Sequence, residues 1–257
     1  MLTPEQLAFA RNPDRYSWLS EGVKRFADER VCVLQGRHWA SVSGVRIDEH
    51  AVEALLAEVR ELVPADKPTT WWLDDETRPA DLLERLKGLG LQDPADRGLM
   101  VHALACTTEP PPARPGIEVS RVESYGDWLE AIEVTWDAFA TPEDRREKQR
   151  PHLRDEFGDE RQSGVPVTFL ARLDGRAAGV GRSVYADHGV FLIAGSVAEW
   201  ARGRGVYSAL VRARWVDAVA RGTPCLVTDA LPDTSYPILT RFGFEEIATI
   251  RRVEDPR

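Results

Sequence analysis

The run ARGRGVYSAL, residues 201–210, joins an apolar, strand-like stretch to an amphipathic helix through a turn with two glycines one residue apart. Nothing else in the chain restricts its fold as tightly. Neither Gly203 nor Gly205 carries a side chain, so both tolerate positive φ and the backbone between them can approach a ligand closely. A helix starting at such a turn aims its unpaired N–H groups and the positive end of its dipole into it. The turn is therefore expected to bind an anion, with Arg202 and Arg204 reinforcing it. A Lys-Ser or Lys-Thr pair is missing after the second glycine, which argues against a nucleoside-triphosphate P-loop. The expected ligand carries phosphates and need not be ATP.

At 257 residues, 43% hydrophobic, the chain can bury one large core or two modest ones. The opening MLTPEQLAFARNPDRYSWL reads as a capped, polar helix rather than a charged-then-apolar leader, and no apolar run approaches ~18 residues. A cytoplasmic protein without membrane contact is expected. Cys32, Cys106 and Cys225 are far apart and lack CxxC spacing, so they read as reduced thiols. The five histidines form no HxxxH or HxH pair, so no metal site is expected. A net charge of −9 disfavours nucleic acid as a partner and tilts the small-molecule partner towards a cation. Oligomeric state is not legible.

Four prolines in the seven residues 109–115 cannot propagate a helix or a central strand, and a linker is expected there. It divides the chain into an N-terminal α+β domain, 1–108, and a second domain, 116–257. Upstream, helices are expected at 4–19, 50–62 and 78–88, and strands at 30–34, 38–45, 69–73 and 98–105. Downstream come a strand at 117–122, helices at 127–139 and 142–157, and a meander of strands at 166–173, 177–185 and 190–197. The glycine turn then leads into a helix at 206–221 with an apolar face of Val206, Ala209, Leu210, Ala213, Val216 and Ala220. A short strand at 225–228, a helix capped by Thr234 or Ser235 that ends at Phe242-Gly243-Phe244, and a last strand at 246–253 complete the order.

Two motifs in this order, SVAEWARGRGVYSALV at 196–211 and DTSYPILTRFGFEEI at 233–247, resemble those of the GNAT superfamily, the Gcn5-related N-acetyltransferases. The resemblance covers residues 116–257, and the N-terminal half resembles tandem members whose first domain is a degenerate copy. It implies an α+β fold, a mixed and mostly antiparallel sheet flanked by helices. It also implies acetyl-CoA or another acyl-CoA as co-substrate and transfer of the acyl group to a small-molecule amine. The pyrophosphate would sit on Arg202, Gly203, Arg204, Gly205 and Val206 beside Tyr207, with the pantetheine arm along 196–198 and Val197 offering backbone N–H to the oxyanion. Such a family ends in two strands, and this sequence leaves room for one. The stretch 99–104 is expected to pair where the second would lie.

Three positions depart from the pattern. Trp200 replaces the usual Gln or Arg three residues before the first glycine, and Tyr207 replaces a small residue. Leu239 stands where the thiolate-protonating tyrosine is usual. Because a lysine-like amine is neutral in only about one molecule in 10³–10⁴ at pH 7, a base is needed as well. The candidates are His188, Asp187 and Glu199 as base, and Tyr236, three residues before Leu239, or the adjacent Ser235 as acid. One positioned acid contributes ~10²–10⁴-fold, so losing the usual tyrosine weakens an enzyme without silencing it. The alternative is a non-catalytic acyl-CoA binder or interaction protein that keeps the anion turn.

Overall fold

The computed structural model describes residues 1–95 and 98–256. The chain divides into two compact units, Met1–Ala105 with Asp229–Arg257, and Cys106–Thr228. The domain expected over 116–257 therefore takes in most of the second unit and the C-terminal segment of the first.

In the first unit, α1 (Pro4–Arg11) is opened by a reciprocal cap. Thr3 Oγ1 accepts from the Gln6 N–H at 3.2 Å, and Gln6 Oε1 accepts from the Thr3 N–H at 3.0 Å. The single helix expected at 4–19 is broken, because Pro13 has no N–H to continue it; α2 (Pro13–Tyr16) restarts from Asn12. There follow β1 (Lys24–Ala27), β2 (Cys32–Gln35), β3 (Ala40–Ser43), α3 (Val52–Leu62), β4 (Thr69–Leu73), α4 (Leu82–Gly88) and β5 (Met100–Cys106). Val52, Leu55, Leu56 and Val59 line one face of α3 at helical spacing and pack into a core around Trp71, Leu82 and Leu86.

The second unit runs β6 (Ile117–Arg121), α5 (Tyr125–Ala138), α6 (Glu143–Gln149), α7 (Leu153–Ser163), β7 (Val167–Leu173), β8 (Arg176–Ala186), β9 (Gly189–Val197), α8 (Val206–Ala220) and β10 (Leu226–Ala230), whose last two residues, Asp229 and Ala230, count with the first unit. The helix expected at 142–157 is two helices separated by a tight turn at Arg150–His152, where Pro151 interrupts the hydrogen-bond ladder. Its strands lie in the order β10-β9-β8-β7-β6, antiparallel apart from the β9/β10 pair. Trp128, Ala131, Val134 and Trp136 of α5 cover one face of this sheet, over Leu170 and Val180. Val206 and Leu210 of α8 cover the other, over Phe169, Ala171 and Ala178. The expected apolar face of α8 holds through Ala213, which packs against the same core, and fails after it. Val216 is 54% exposed and Ala220 is exposed, while Arg214, Trp215, Asp217 and Ala218 are buried, so the inner face there mixes polar and apolar side chains and an apolar pattern cannot trace it.

The chain then returns to the first unit as α9 (Tyr236–Arg241) and β11 (Glu245–Asp255). The first unit's strands lie in the order β1-β2-β3-β4-β11-β5, antiparallel apart from β3/β4. The stretch expected to supply a pairing strand, 99–104, lies within or next to β5 and does pair with the last strand, through Leu104↔Glu246, Ala103↔Ala248 and His102↔Thr249. All three cysteines are buried free thiols. No helix among the described residues is long and apolar enough to cross a membrane.

Candidate functional site

The glycine turn has the geometry its sequence requires. Gly203 has φ +73° and Gly205 φ +94°, both in the left-handed region that favours glycine, and Gly205 stands directly before α8. The first main-chain bond of the helix runs from the Ala209 N–H to the Gly205 carbonyl, at 3.0 Å. The N–H groups of Gly205, Val206, Tyr207 and Ser208 have no carbonyl partner among the described residues. Nothing lies within 4 Å of the place a Cβ would take on Gly203, so the turn is open on that side.

Arginines surround it. Arg202 Nε donates to the Val197 carbonyl at 3.4 Å, and Arg204 reaches Asp174 Oδ2 at 3.3 Å. The stem of Arg114 packs on Gly205, its Cδ 2.9 Å from where a Cβ would stand. Arg176 stacks on Trp200 with its guanidinium carbon 4.4 Å from the ring centroid, and Arg204 lies at 5.9 Å from the same ring. Trp200 thus serves as a platform for cations where the family pattern has a cation or an amide. Among the described residues Arg114, Arg176 and Arg202 have no carboxylate partner, although the chain carries a charge of −9. Arg114 and Arg176 escaped the sequence reading, since one lies in the proline-rich segment and the other at the start of a strand.

The strand leading to the turn is released from one neighbour. β9 pairs with β10 only through Val190↔Leu226 and Phe191↔Val227, extended by the Thr228 hydroxyl donating to the Leu192 carbonyl at 2.9 Å. From residue 193 onward β9 pairs with β8 alone, and there it bulges. Val180 faces Ser196 and Arg182 faces Ile193, leaving Gly181 opposite both Ala194 and Gly195, with Ala194 at φ +51°. A bulge re-aims backbone groups and increases local twist. Its inner side is filled by Tyr207, whose ring edge stands 3.0 Å from where a Cβ on Gly195 would be, which accounts for the bulky residue at that position. Gly181 makes room for Arg214 in the same way, and burial holds the Arg214 guanidinium down at about 10. Arg214 donates to the Leu210 and Arg182 carbonyls at 3.1 and 3.4 Å.

Next to the turn lies a cleft of about 740 Å³ lined by α5, the 175–177 turn and residues 198–200. Its α5 carboxylates are already engaged. Glu130 pairs with Arg172 at 2.9 Å, Glu133 with Arg150 at 3.0 Å and Asp137 with Arg146 at 2.9 Å. Glu199 also lines the cleft, exposed and without an ion pair among the described residues.

Of the expected site residues, Val197 and Arg202, Gly203, Arg204, Gly205, Val206 and Tyr207 are brought together in the second unit. His188 is not brought to them. It is exposed in the β8/β9 turn, at the opposite end of β9 from Val197, on the order of 30 Å along the strand. Tyr236 and Ser235 belong to the first unit. Ser235 Oγ accepts from the Leu231 N–H at 3.0 Å and so closes the loop before α9. The Tyr236 hydroxyl donates to Glu246 Oε2 at 2.8 Å, and this hydrogen bond holds its phenol above the ordinary range. Leu239 is fully buried, so the position of the usual tyrosine faces the core.

No family model and no curated relative matches the chain. Solved structures do. A GCN5-related N-acetyltransferase from Kribbella flavida is 20% identical and aligns over 100% of this chain and 97% of its own, with a TM-score of 0.69. A tandem GNAT protein from the clavulanic acid biosynthesis pathway is 13% identical over 98% of this chain and 88% of its own, with a TM-score of 0.61. A GCN5-related N-acetyltransferase from Sphaerobacter thermophilus is 16% identical over 91% of this chain and 82% of its own, with a TM-score of 0.58. At these identities the likeness speaks to architecture, and the architecture is that of the GCN5-related N-acetyltransferases.

Proposed function

We propose that the chain is an acyl-CoA-dependent N-acyltransferase that transfers an acetyl group from acetyl-CoA to a small-molecule amine. The observation that carries this reading is the turn itself. Four main-chain N–H groups without acceptors at the head of α8, flanked by arginines, stand at the end of a strand whose neighbour has fallen away. These features suit a cofactor with phosphates at one end and a long amide-bearing arm. Arg202, Gly203, Arg204, Gly205, Val206 and Tyr207 would hold the pyrophosphate, with Val197 lending backbone to the arm and to the oxyanion. Acetyl-CoA, when bound, supplies the acyl group in activated thioester form. Each charge-assisted bond to the pyrophosphate contributes about 1.5–3 kcal/mol, so several give micromolar affinity after ordering costs. Tyr236 is the side chain we assign to proton transfer in preference to Ser235 or His188. The transferase domain is assigned to 116–257. Residues 1–108 are read as the degenerate partner of a tandem pair, their 44–51 strand-to-helix junction carrying the lone glycine Gly44.

Calorimetric titration with acetyl-CoA tests the reading, on wild type and Gly203→Asp together. A carboxylate placed in the turn should weaken binding by about 10²–10⁴-fold, the loss of two such bonds. Absence of wild-type binding to any CoA species would refute it. The burial of Leu239 favours a second reading, a non-catalytic acyl-CoA binder. The two readings part on thiol release in the presence of a panel of amines.

A further inference from the structure

β1 ends the strand order of the first unit, and among the described residues no strand lies on its outer side. It pairs with β2 through Lys24↔Gln35, Arg25↔Leu34, Phe26↔Val33 and Ala27↔Cys32. The hairpin bond from the Asp28 N–H to the Val31 carbonyl, at 3.1 Å, fixes which backbone groups face β2. Counting back by twos, Phe26 and Lys24 turn their N–H and carbonyl groups towards β2, so those of Arg25 and Ala27 point outward. The next hairpin agrees. The Gly36 N–H donates to the Trp39 carbonyl at 2.9 Å, which commits Leu34 and Cys32 to β3 and leaves Gln35 and Val33 for β1. Lys24, Phe26 and Ala27 are all exposed, Phe26 to 38%. The chain just before the strand exposes Tyr16, Trp18 and Leu19 as well, and Arg25 ties that segment down by donating to the Asp14 and Ser17 carbonyls.

An open edge is commonly blunted by charge, and β1 carries two cations. Arg25 is engaged by the two carbonyls, whereas Lys24 is in no ion pair among the described residues. Directly beyond the strand stand Asp28 and Glu29. Arg30 is shared by Asp28 and Glu58, at 2.7 and 3.1 Å, so with Glu29 the carboxylates at that end outnumber it. A strand that is basic at its start and acidic past its end complements a reversed copy of itself. Two such strands must match outward-facing residues, which allows Arg25 with Arg25, Ala27 with Ala27, or Arg25 with Ala27. The first sets guanidiniums face to face, and the second sets Phe26 against Asp28. The third forms four main-chain hydrogen bonds, sets Phe26 against its own copy and sets Lys24 against Asp28 twice.

We propose that the protein self-associates through β1, as a two-fold dimer in which Arg25 of each copy pairs with Ala27 of the other. A second copy is the partner that fits, because one short segment read backwards supplies both the charge match and the aromatic pair. The same charges repel a strand that lacks acidic residues in that register, which makes the edge selective. The inference is independent of what the glycine turn binds. Four main-chain bonds, one aromatic pair and two exposed ion pairs fall short of the standard interface of about 1,600 Å², so the affinity belongs at about 10–100 µM.

Sedimentation equilibrium of the full chain from about 5 to about 300 µM tests the proposal. Wild type should pass from monomer to dimer, less readily as salt rises from about 0.05 to about 0.5 M. Lys24→Glu turns both ion pairs into repulsions and should weaken the dimer at least about 10-fold. Ala27→Pro removes an outward N–H, which an edge strand tolerates, and should leave a folded monomer by circular dichroism. Register is read by oxidation. Residues opposite one another at a non-hydrogen-bonded position have Cα atoms about 4.5 Å apart, within disulfide reach, while position 24 would lie about 13 Å along the strand from its own copy. Phe26→Cys should therefore oxidise to a covalent dimer and Lys24→Cys should not, the three native cysteines being buried. Wild type that stays monomeric to about 300 µM overturns the proposal. So does a dimer indifferent to Lys24→Glu or to folded Ala27→Pro, or coupling as fast at position 24 as at 26.

Discussion

Asp229 should make the protein less stable as pH rises from about 4 to about 7, and its replacement by Asn should remove that effect. Burial, with help from the Asp14 carboxylate and against the pull of Arg252, pushes the Asp229 carboxyl from 3.8 up to about 7. Its Oδ1 is buried without a hydrogen-bond partner. Between those two values the folded chain holds a proton on this group that the unfolded chain has released. Folding therefore takes up a proton, and stability falls with each unit of pH until the folded value is passed. A difference of about three units at about 1.36 kcal/mol each gives about 4 kcal/mol, complete above pH 7 and absent below pH 4. Asn has the same shape and no charge, and its amide hydrogens add an offset that does not vary with pH. Urea unfolding of wild type and Asp229→Asn at pH 4.5, 6 and 8, at matched ionic strength, isolates the slope. The Asn variant should gain on wild type by about 3 kcal/mol between pH 4.5 and pH 8, the part of the window the series covers, or about 6 °C in Tm at the roughly 2 °C per kcal/mol of a chain this size. A gap that stays constant across the series, or narrows as pH rises, refutes the reasoning.

Leu239→Ala should cost ~2–5 kcal/mol in thermal or urea unfolding, because a fully buried leucine leaves a cavity that its surroundings fill only in part. Asp217→Ala should cost ~3–5 kcal/mol. This carboxylate is buried in the second unit among the Tyr185 hydroxyl, Arg121 and Arg221, and its loss strands their donors. Asp217→Asn should recover part of that loss by accepting from Tyr185, which chemical denaturation of the three proteins would detect.

What could be read in the sequence depended on how local its causes are. The glycine turn and the helix after it were legible because positive φ and helix initiation are decided within a few residues; the expected span 206–221 is met by Val206–Ala220. Two helix breaks were missed although Pro13 and Pro151 marked them, since the polar periodicity continues on both sides of each proline. β1 gave no signal because Lys24–Ala27 is a charged edge strand without apolar alternation. The bulge at Ala194 depends on register against β8, and the inner face of α8 hides a buried arginine and a buried aspartate, which a hydrophobic pattern assigns to the outside. The contact of His102 Nδ1 with Glu246 Oε1 at 2.9 Å joins residues 144 positions apart, and nothing near either residue announces the other.

The place of β11 between β4 and β5 bears on how the protein is made. On a ribosome the strands of the first unit emerge early, but the one that joins β4 to β5 comes after the whole of the second unit has been synthesised. Until then β4 and β5 each present a row of unpaired backbone groups, the kind of edge that invites pairing with another chain. Both edges stay open until β11 has been made and pairs with β4 on one side and β5 on the other.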